Sequence, residues 1–174
     1  MNWTRICNRR HRVLRRDRTL YVWLSGTTGY SEWARNFHTR TLNRYGRRVK
    51  AELWVEAVQV SYEVRSRLDG VKDVVISGFS RGGGLAQVVA LELIDRNIDA
   101  GVFVELWAPK RALSDVSGVP ITHCFAYRGD IVPFLPPWYG RLPMTWLGRV
   151  DWFWKAHNKA GHDAARWRHE VTKE

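Results

Sequence analysis

The sequence predicts an α/β domain built on a mostly parallel sheet flanked by helices, and three observations carry that expectation. Short β-prone runs alternate with helical patterns, the runs close in glycine- or proline-marked loops, and no repeat or low-complexity linker breaks the alternation. With 174 residues the chain buries well over half of its unfolded surface without disulfides, so one domain is expected over 1–174, divided into a basic arm (1–18) and a core (19–171).

The elements follow in order. Leu20-Tyr21-Val22-Trp23-Leu24 reads as a strand ending in the tight loop Ser25-Gly26-Thr27-Thr28-Gly29, after which Trp33, Ala34 and Phe37 fit a helical turn. From Ala51 to Leu68, apolar residues recur at Leu53, Trp54, Ala57, Val58, Val60 and Val64 near the helical period, with Asp69-Gly70 as the stop. Val71 to Ser77 is the next strand, Gly83 to Ile94 the helix after it, and Gly101 to Trp107 a further strand closed by Ala108-Pro109. Ile121 to Tyr127 is the last predicted strand. Pro133, Pro136, Pro137 and Pro143 stiffen the loop that follows, Trp146 to Trp154 is rich in aromatics, and Gly161 to Val171 fits a short terminal helix. In such a sheet the ligand site lies beyond the carboxyl ends of the strands.

Composition narrows the function classes. No uncharged apolar run approaches the roughly 20 residues of a membrane-spanning helix. The arm holds Arg5, Arg9, Arg10, Arg12, Arg15, Arg16 and Arg18 without a secretory apolar core, so a cytosolic start is expected, with peripheral membrane contact as the variant. Cys7 and Cys124 are isolated from each other and from any histidine cluster, so neither a metal nor another cofactor is expected. A formal charge of +11 favours anionic partners, whether lipid headgroups, nucleic acid or an acidic protein, with contact to an anionic membrane surface expected ahead of nucleic acid. Trp3 and Ile6 beside the arm's charge suit an interfacial anchor, but apolar residues near a terminus more often dock on the domain.

The chemistry gathers around Gly78-Phe79-Ser80-Arg81-Gly82, which sits between a predicted strand and a predicted helix. A Gly-x-Ser-x-Gly turn in that context raises the serine hydroxyl clear of the backbone, and the following helix aims free N–H groups at developing negative charge. Serine needs a base and an acid to orient that base. Of the six histidines, His11 and His38 precede the turn, and His123 lies within a predicted strand. His162, after Gly161 and before the expected terminal helix, is the first choice of base, His157 the alternative and His169 the third. Asp130 follows the last predicted strand through Arg128-Gly129 and is the expected acid, ahead of Asp151 and Asp163. The backbone N–H groups of Arg81, next to the nucleophile, and of Thr27, in the loop after the first strand, are the expected oxyanion donors.

Four blocks then resemble one family, the class 3 lipases, the fungal triacylglycerol-lipase-like branch of the α/β-hydrolases, over most of Leu20 to Trp167. Gly26-Thr27 with Trp33 and Asn36-Phe37 is similar to its oxyanion block. Gly78-Phe79-Ser80-Arg81-Gly82-Gly83 is similar to its elbow, and Ala108-Pro109-Lys110-Arg111 to its Ala/Ser-Pro-Arg segment. Asp130-Ile131-Val132-Pro133-Phe134-Leu135-Pro136-Pro137 resembles its Asp-x-Val-Pro-x-Leu-Pro-Pro block most specifically. The resemblance implies a compact α/β-hydrolase fold, Ser80 as nucleophile, Asp130 as acid, a C-terminal histidine as base, and a carboxylic ester, of lipid or acyl type, as substrate. Phe79 and Arg81 depart from the family's usual elbow, and Arg81 places a charge beside the nucleophile that would favour an anionic substrate. The short interval Thr27 to Glu32 before Trp33 implies a reduced or absent lid. The rival readings are an inactive hydrolase-fold protein that binds anionic lipid and a basic accessory protein of nucleic acid.

Overall fold

The computed structural model describes residues 11–27, 40–137 and 139–172. Among these, six strands form one sheet in the order β1-β2-β5-β6-β7-β8: β1 (His11–Arg16), β2 (Thr19–Leu24), β5 (Asp73–Phe79), β6 (Gly101–Trp107), β7 (Ile121–Arg128) and β8 (Thr145–Arg149). All neighbours are parallel except β1 and β2, which form an antiparallel hairpin. Helices α1 (Ala51–Arg65) and α2 (Arg81–Asp95) pack on one face, and α3 (Phe153–Thr172) crosses the other. A small hairpin of β3 (Thr41–Arg44) and β4 (Arg47–Lys50) leads into α1.

Alternation along the strands explains the two faces. Val22, Leu24, Val74, Ile76, Val104, Leu106 and Cys124 are buried with Leu53, Ala57, Val60 and Leu85 from α1 and α2 in the main core. The intervening residues Val75, Ser77, Phe79, Trp107 and Tyr127 point the other way. Ala156, Ala160 and Ala164 recur every fourth residue along the buried side of α3, which lets that helix lie close to the sheet.

Several expectations change here. Residues 11–16 belong to the sheet as β1 and not to the basic arm, with Asp17 at φ 52° turning the chain into β2. Their arginines tie segments together: Arg15 donates to the carbonyl of Asp69 at 2.7 Å, and Arg16 to that of Val171 at 3.3 Å. Part of the aromatic stretch after Pro143 supplies the edge strand β8. The terminal helix begins at Phe153, eight residues before its expected start at Gly161. Trp3, Ile6, Cys7, Trp33, Ala34, Asn36, Phe37 and His38, the lid interval after Thr27 and the rest of the arm lie outside the described residues. No described helix is long and apolar enough to cross a membrane.

Candidate active site

Ser80 sits between the end of β5 and the first residue of α2 with φ 54° and ψ −118°, a backbone region that a side chain occupies only under strain. The strain is held by packing on both sides. A Cβ on Gly78 would come 2.3 Å from the carbonyl oxygen of Gly82, and one on Gly82 would come 2.2 Å from that of Leu24, so only glycine fits at either position. The backbone of Ser80 is fixed in turn: its N–H donates to Trp107 at 2.9 Å, and its carbonyl accepts from the N–H of Lys110 at 3.0 Å. Strand β6 and the segment after it therefore hold the serine in place.

The loop after β2 reaches the same point. A Cβ on Gly26 would lie 3.2 Å from the Cβ of Ser80, so Ser25-Gly26-Thr27 runs directly beside the nucleophile candidate, and Arg81 opens α2 on its other side. The Arg81 guanidinium donates to Glu56 at 2.8 Å, an ion pair that joins α2 to α1.

Asp130 is almost fully buried beyond the end of β7. One carboxylate oxygen accepts from the N–H of Val132 at 2.9 Å, which fixes the loop, and the other bonds Nδ1 of His157 at 2.9 Å. His157, not His162, is thus the histidine that the fold brings to Asp130. The imidazole of His157 lies 4.7 Å from the ring of Phe79, the residue before Ser80, and Gly161, one helical turn on, packs against the same ring. His162 and His169 are exposed on α3. His123 is exposed on β7, 3.7 Å from Glu105, and His11 is buried against Glu63, so neither joins the group. Asp151 pairs with Arg149 at the surface, and Asp163 accepts from the hydroxyl of Tyr127 at 2.6 Å. No cluster of three or more potential metal ligands occurs among the described residues.

Comparison with solved structures follows from this geometry. A triacylglycerol lipase whose catalytic centre is a serine protease triad matches with a TM-score of 0.63 and 22% identity over 73% of this chain and 56% of its own. A mono- and diacylglycerol lipase of Aspergillus oryzae gives 0.62 and 18%, over 74% and 54%. The chain has the α/β-hydrolase fold of these lipases. A fungal lipase in complex with an inhibitor has a TM-score of 0.58 and 22% identity, again over 73% of this chain and 56% of that one. The lipase-like chain therefore spans little more than half the length of the lipases it matches. No family model and no curated protein sequence matches it.

In this lipase-like fold, two supporting residues carried no role in the sequence reading. Arg111 is buried and clamps the loop after Asp130: its Nε donates to the carbonyl of Pro133 at 2.9 Å, and its Nη1 to those of Tyr139 at 3.2 Å and Pro137 at 3.4 Å. Gln87 of α2 is fully buried, donates to the carbonyls of Gly83 and Lys110 and accepts from the N–H of Ala112, which pins the 110–112 segment to the elbow helix. The Pro-Lys-Arg run and a glutamine on an otherwise apolar helix face were the available signals. Replacing Arg111 with methionine keeps the volume but strands three carbonyls, so kcat on an ester should fall by roughly tenfold or more while KM changes less. A kcat and KM pair for the variant checks this.

Lys50 and Lys110 are both buried, with Glu52 3.7 Å from the Lys50 ammonium. Two adjacent buried ammonium ions repel, and burial with the Lys50 charge pulls Lys110 down to about 6. In the unfolded chain Lys110 keeps its proton to about pH 10. The unfolded state thus binds the extra proton between those values, and stability rises with pH across the window, by up to about 1.4 kcal/mol per pH unit. Glu105 works in the opposite sense only at lower pH, because burial lifts it to about 7 and folding weakens as pH rises from its usual range toward that value. Denaturant unfolding at pH 7 and pH 9 should therefore show a gain for the wild type that Lys110→Met removes.

Proposed function

We propose that this chain is a serine hydrolase of carboxylic esters, with a lipid or acyl ester as substrate, and that it works through an acyl-enzyme. The observation that supports this reading best is the buried Asp130–His157 hydrogen bond of 2.9 Å beside a serine held at φ 54°. Ser80 is the nucleophile. With Nδ1 committed to Asp130, Nε2 of His157 is the atom that takes the serine proton as the Ser80 oxygen attacks the ester carbonyl. Asp130 holds the ring in the required tautomer and stabilises the imidazolium. The oxyanion develops beside the N–H groups of Thr27 and Arg81, and the helix start behind Arg81 adds its partial positive charge. The imidazolium passes its proton to the departing alcohol, and a water activated by the same nitrogen then frees the acid. This sequence of steps uses side chains and backbone of the chain itself.

The neighbours act on tri-, di- and monoacylglycerols, which is why a lipid ester leads among substrates. The test is reaction with a fluorophosphonate probe followed by a series of p-nitrophenyl esters of increasing acyl length. Labelling at Ser80 with a preference that grows with acyl length supports the lipid reading. A folded wild-type protein that neither labels nor hydrolyses any ester of the series removes it in favour of a binding protein on a hydrolase fold.

A further inference from the structure

Four large apolar side chains stand exposed around the Asp130–His157 pair: Ile131 at 49%, Phe134 at 47%, Trp152 at 69% and Trp154 at 43%. Ile131 and Phe134 belong to the loop that carries Asp130, while Trp152 and Trp154 bracket the start of α3, one turn before His157. The Asp130–His157 bond draws these two segments together, and pairing of Arg128 with Arg149 in the sheet sets β8 alongside. Phe134 is further stacked on Trp146 of β8 at 5.9 Å. Such a concentration of exposed apolar groups at one edge is unfavourable for a monomer in water.

Charge indicates what covers it. Between residues 128 and 160 the described exposed cations are Arg128, Arg141, Arg149, Lys155 and Lys159, and the one described exposed carboxylate is Asp151. Indole rings favour the boundary between headgroups and acyl chains, and long cationic side chains beside them reach the phosphates. Asp151 offsets only Arg149, so the segment keeps an excess of positive charge that a zwitterionic surface, which satisfies the indoles, would leave unused. We propose that the rim formed by Ile131, Phe134, Trp152 and Trp154, with Arg149 and Lys155, docks the protein onto an anionic phospholipid bilayer. The proposal rests on the ester-hydrolase reading for its purpose, since docking here sets the Ser80 elbow toward the lipid, but not for its test.

The test is co-sedimentation of the full chain with vesicles of phosphatidylcholine alone and of phosphatidylcholine mixed with phosphatidylserine, at low and near-physiological salt. Wild type should bind the anionic vesicles about tenfold or more tightly than the neutral ones, less so as salt rises. Arg149→Gln with Lys155→Gln should remove most of that preference, roughly fivefold per cation, and Trp152→Ala with Trp154→Ala should weaken binding by about tenfold or more. Tyr62→Ala, which removes an equally exposed aromatic on α1 at the opposite face of the sheet, should bind as wild type does. Thermal melting of each variant shows that it is folded.

Equal binding to neutral and anionic vesicles overturns the proposal, and so does a folded tryptophan double variant that binds like wild type. Binding to a DNA duplex through the same residues, without vesicle binding, assigns the rim to nucleic acid and also overturns it. Ser80→Ala must still bind vesicles, so a chain that docks but never labels with the probe loses the hydrolase reading alone.

Discussion

Ser80→Ala is expected to abolish fluorophosphonate labelling and to lower kcat on a short p-nitrophenyl ester by on the order of 10⁵-fold or more, the loss typical of removing the nucleophile from a serine triad. The fold should survive the change. Alanine meets the same backbone penalty as serine at φ 54°, and the N–H and carbonyl of residue 80 keep their bonds to Trp107 and Lys110. Ser80→Gly sharpens the argument, because glycine relieves the strain without adding an atom. That variant should be equally inactive yet more stable than Ser80→Ala, by about 1–2 kcal/mol in denaturant unfolding. A glycine variant no more stable than the alanine one would mean that the turn stores no strain. An alanine variant that still labels would place the nucleophile elsewhere.

The same backbone logic explains how much was legible in the chain. The strand-turn-helix around Ser80 could be read because glycine is obligatory where Gly78 and Gly82 let backbone pass so closely, and residue type records that demand directly. Gly101–Trp107 was read with its observed bounds, since both faces of that central strand are largely apolar. Edge strands gave no such record. β1 carries His11, Arg12, Arg15 and Arg16 around only two apolar residues, and its arginines look like an arm because they bond to carbonyls that are distant in sequence. The β3–β4 hairpin was missed for a related reason. Its apolar alternation is absent, and its only mark is the turn Tyr45-Gly46, with both residues at positive φ.

The position of the candidate acid was legible, and which histidine the fold brings to it was not. Asp130 belongs to a motif that fixes its own loop, through the bond from its carboxylate to the N–H of Val132, so sequence and geometry coincide locally. A histidine that reaches it across 27 residues depends on where α3 begins. Gly161 looked like a helix boundary, which put His162 in a flexible position before the helix. In the structure Gly161 is an interior residue, small because a Cβ there would come 2.9 Å from the Phe79 ring. The glycine marks close packing, and that packing lowers the helix onto the elbow.

From this comes the second large effect. His157→Ala should reduce kcat by about 10³-fold or more with the protein still folded, whereas His162→Ala should stay within about twofold of wild type. The helix itself separates them: five residues at about 100° each turn His162 some 140° around the axis from His157, so one helix cannot present both to Asp130. Ala156, Ala160 and Ala164 fix which side faces the sheet, and Gly161 lies in line with His157 on Phe79. Asp130→Asn provides the independent check, because it preserves the shape of the pair while removing the charge that stabilises the imidazolium. It should cost on the order of 10³–10⁴-fold in kcat, and combining it with His157→Ala should add little further loss, since the two groups act as one. Full additivity of the double variant, or a dead His162→Ala beside an active His157→Ala, would show that Asp130 and His157 are a structural pair and that the proton leaves Ser80 by another route.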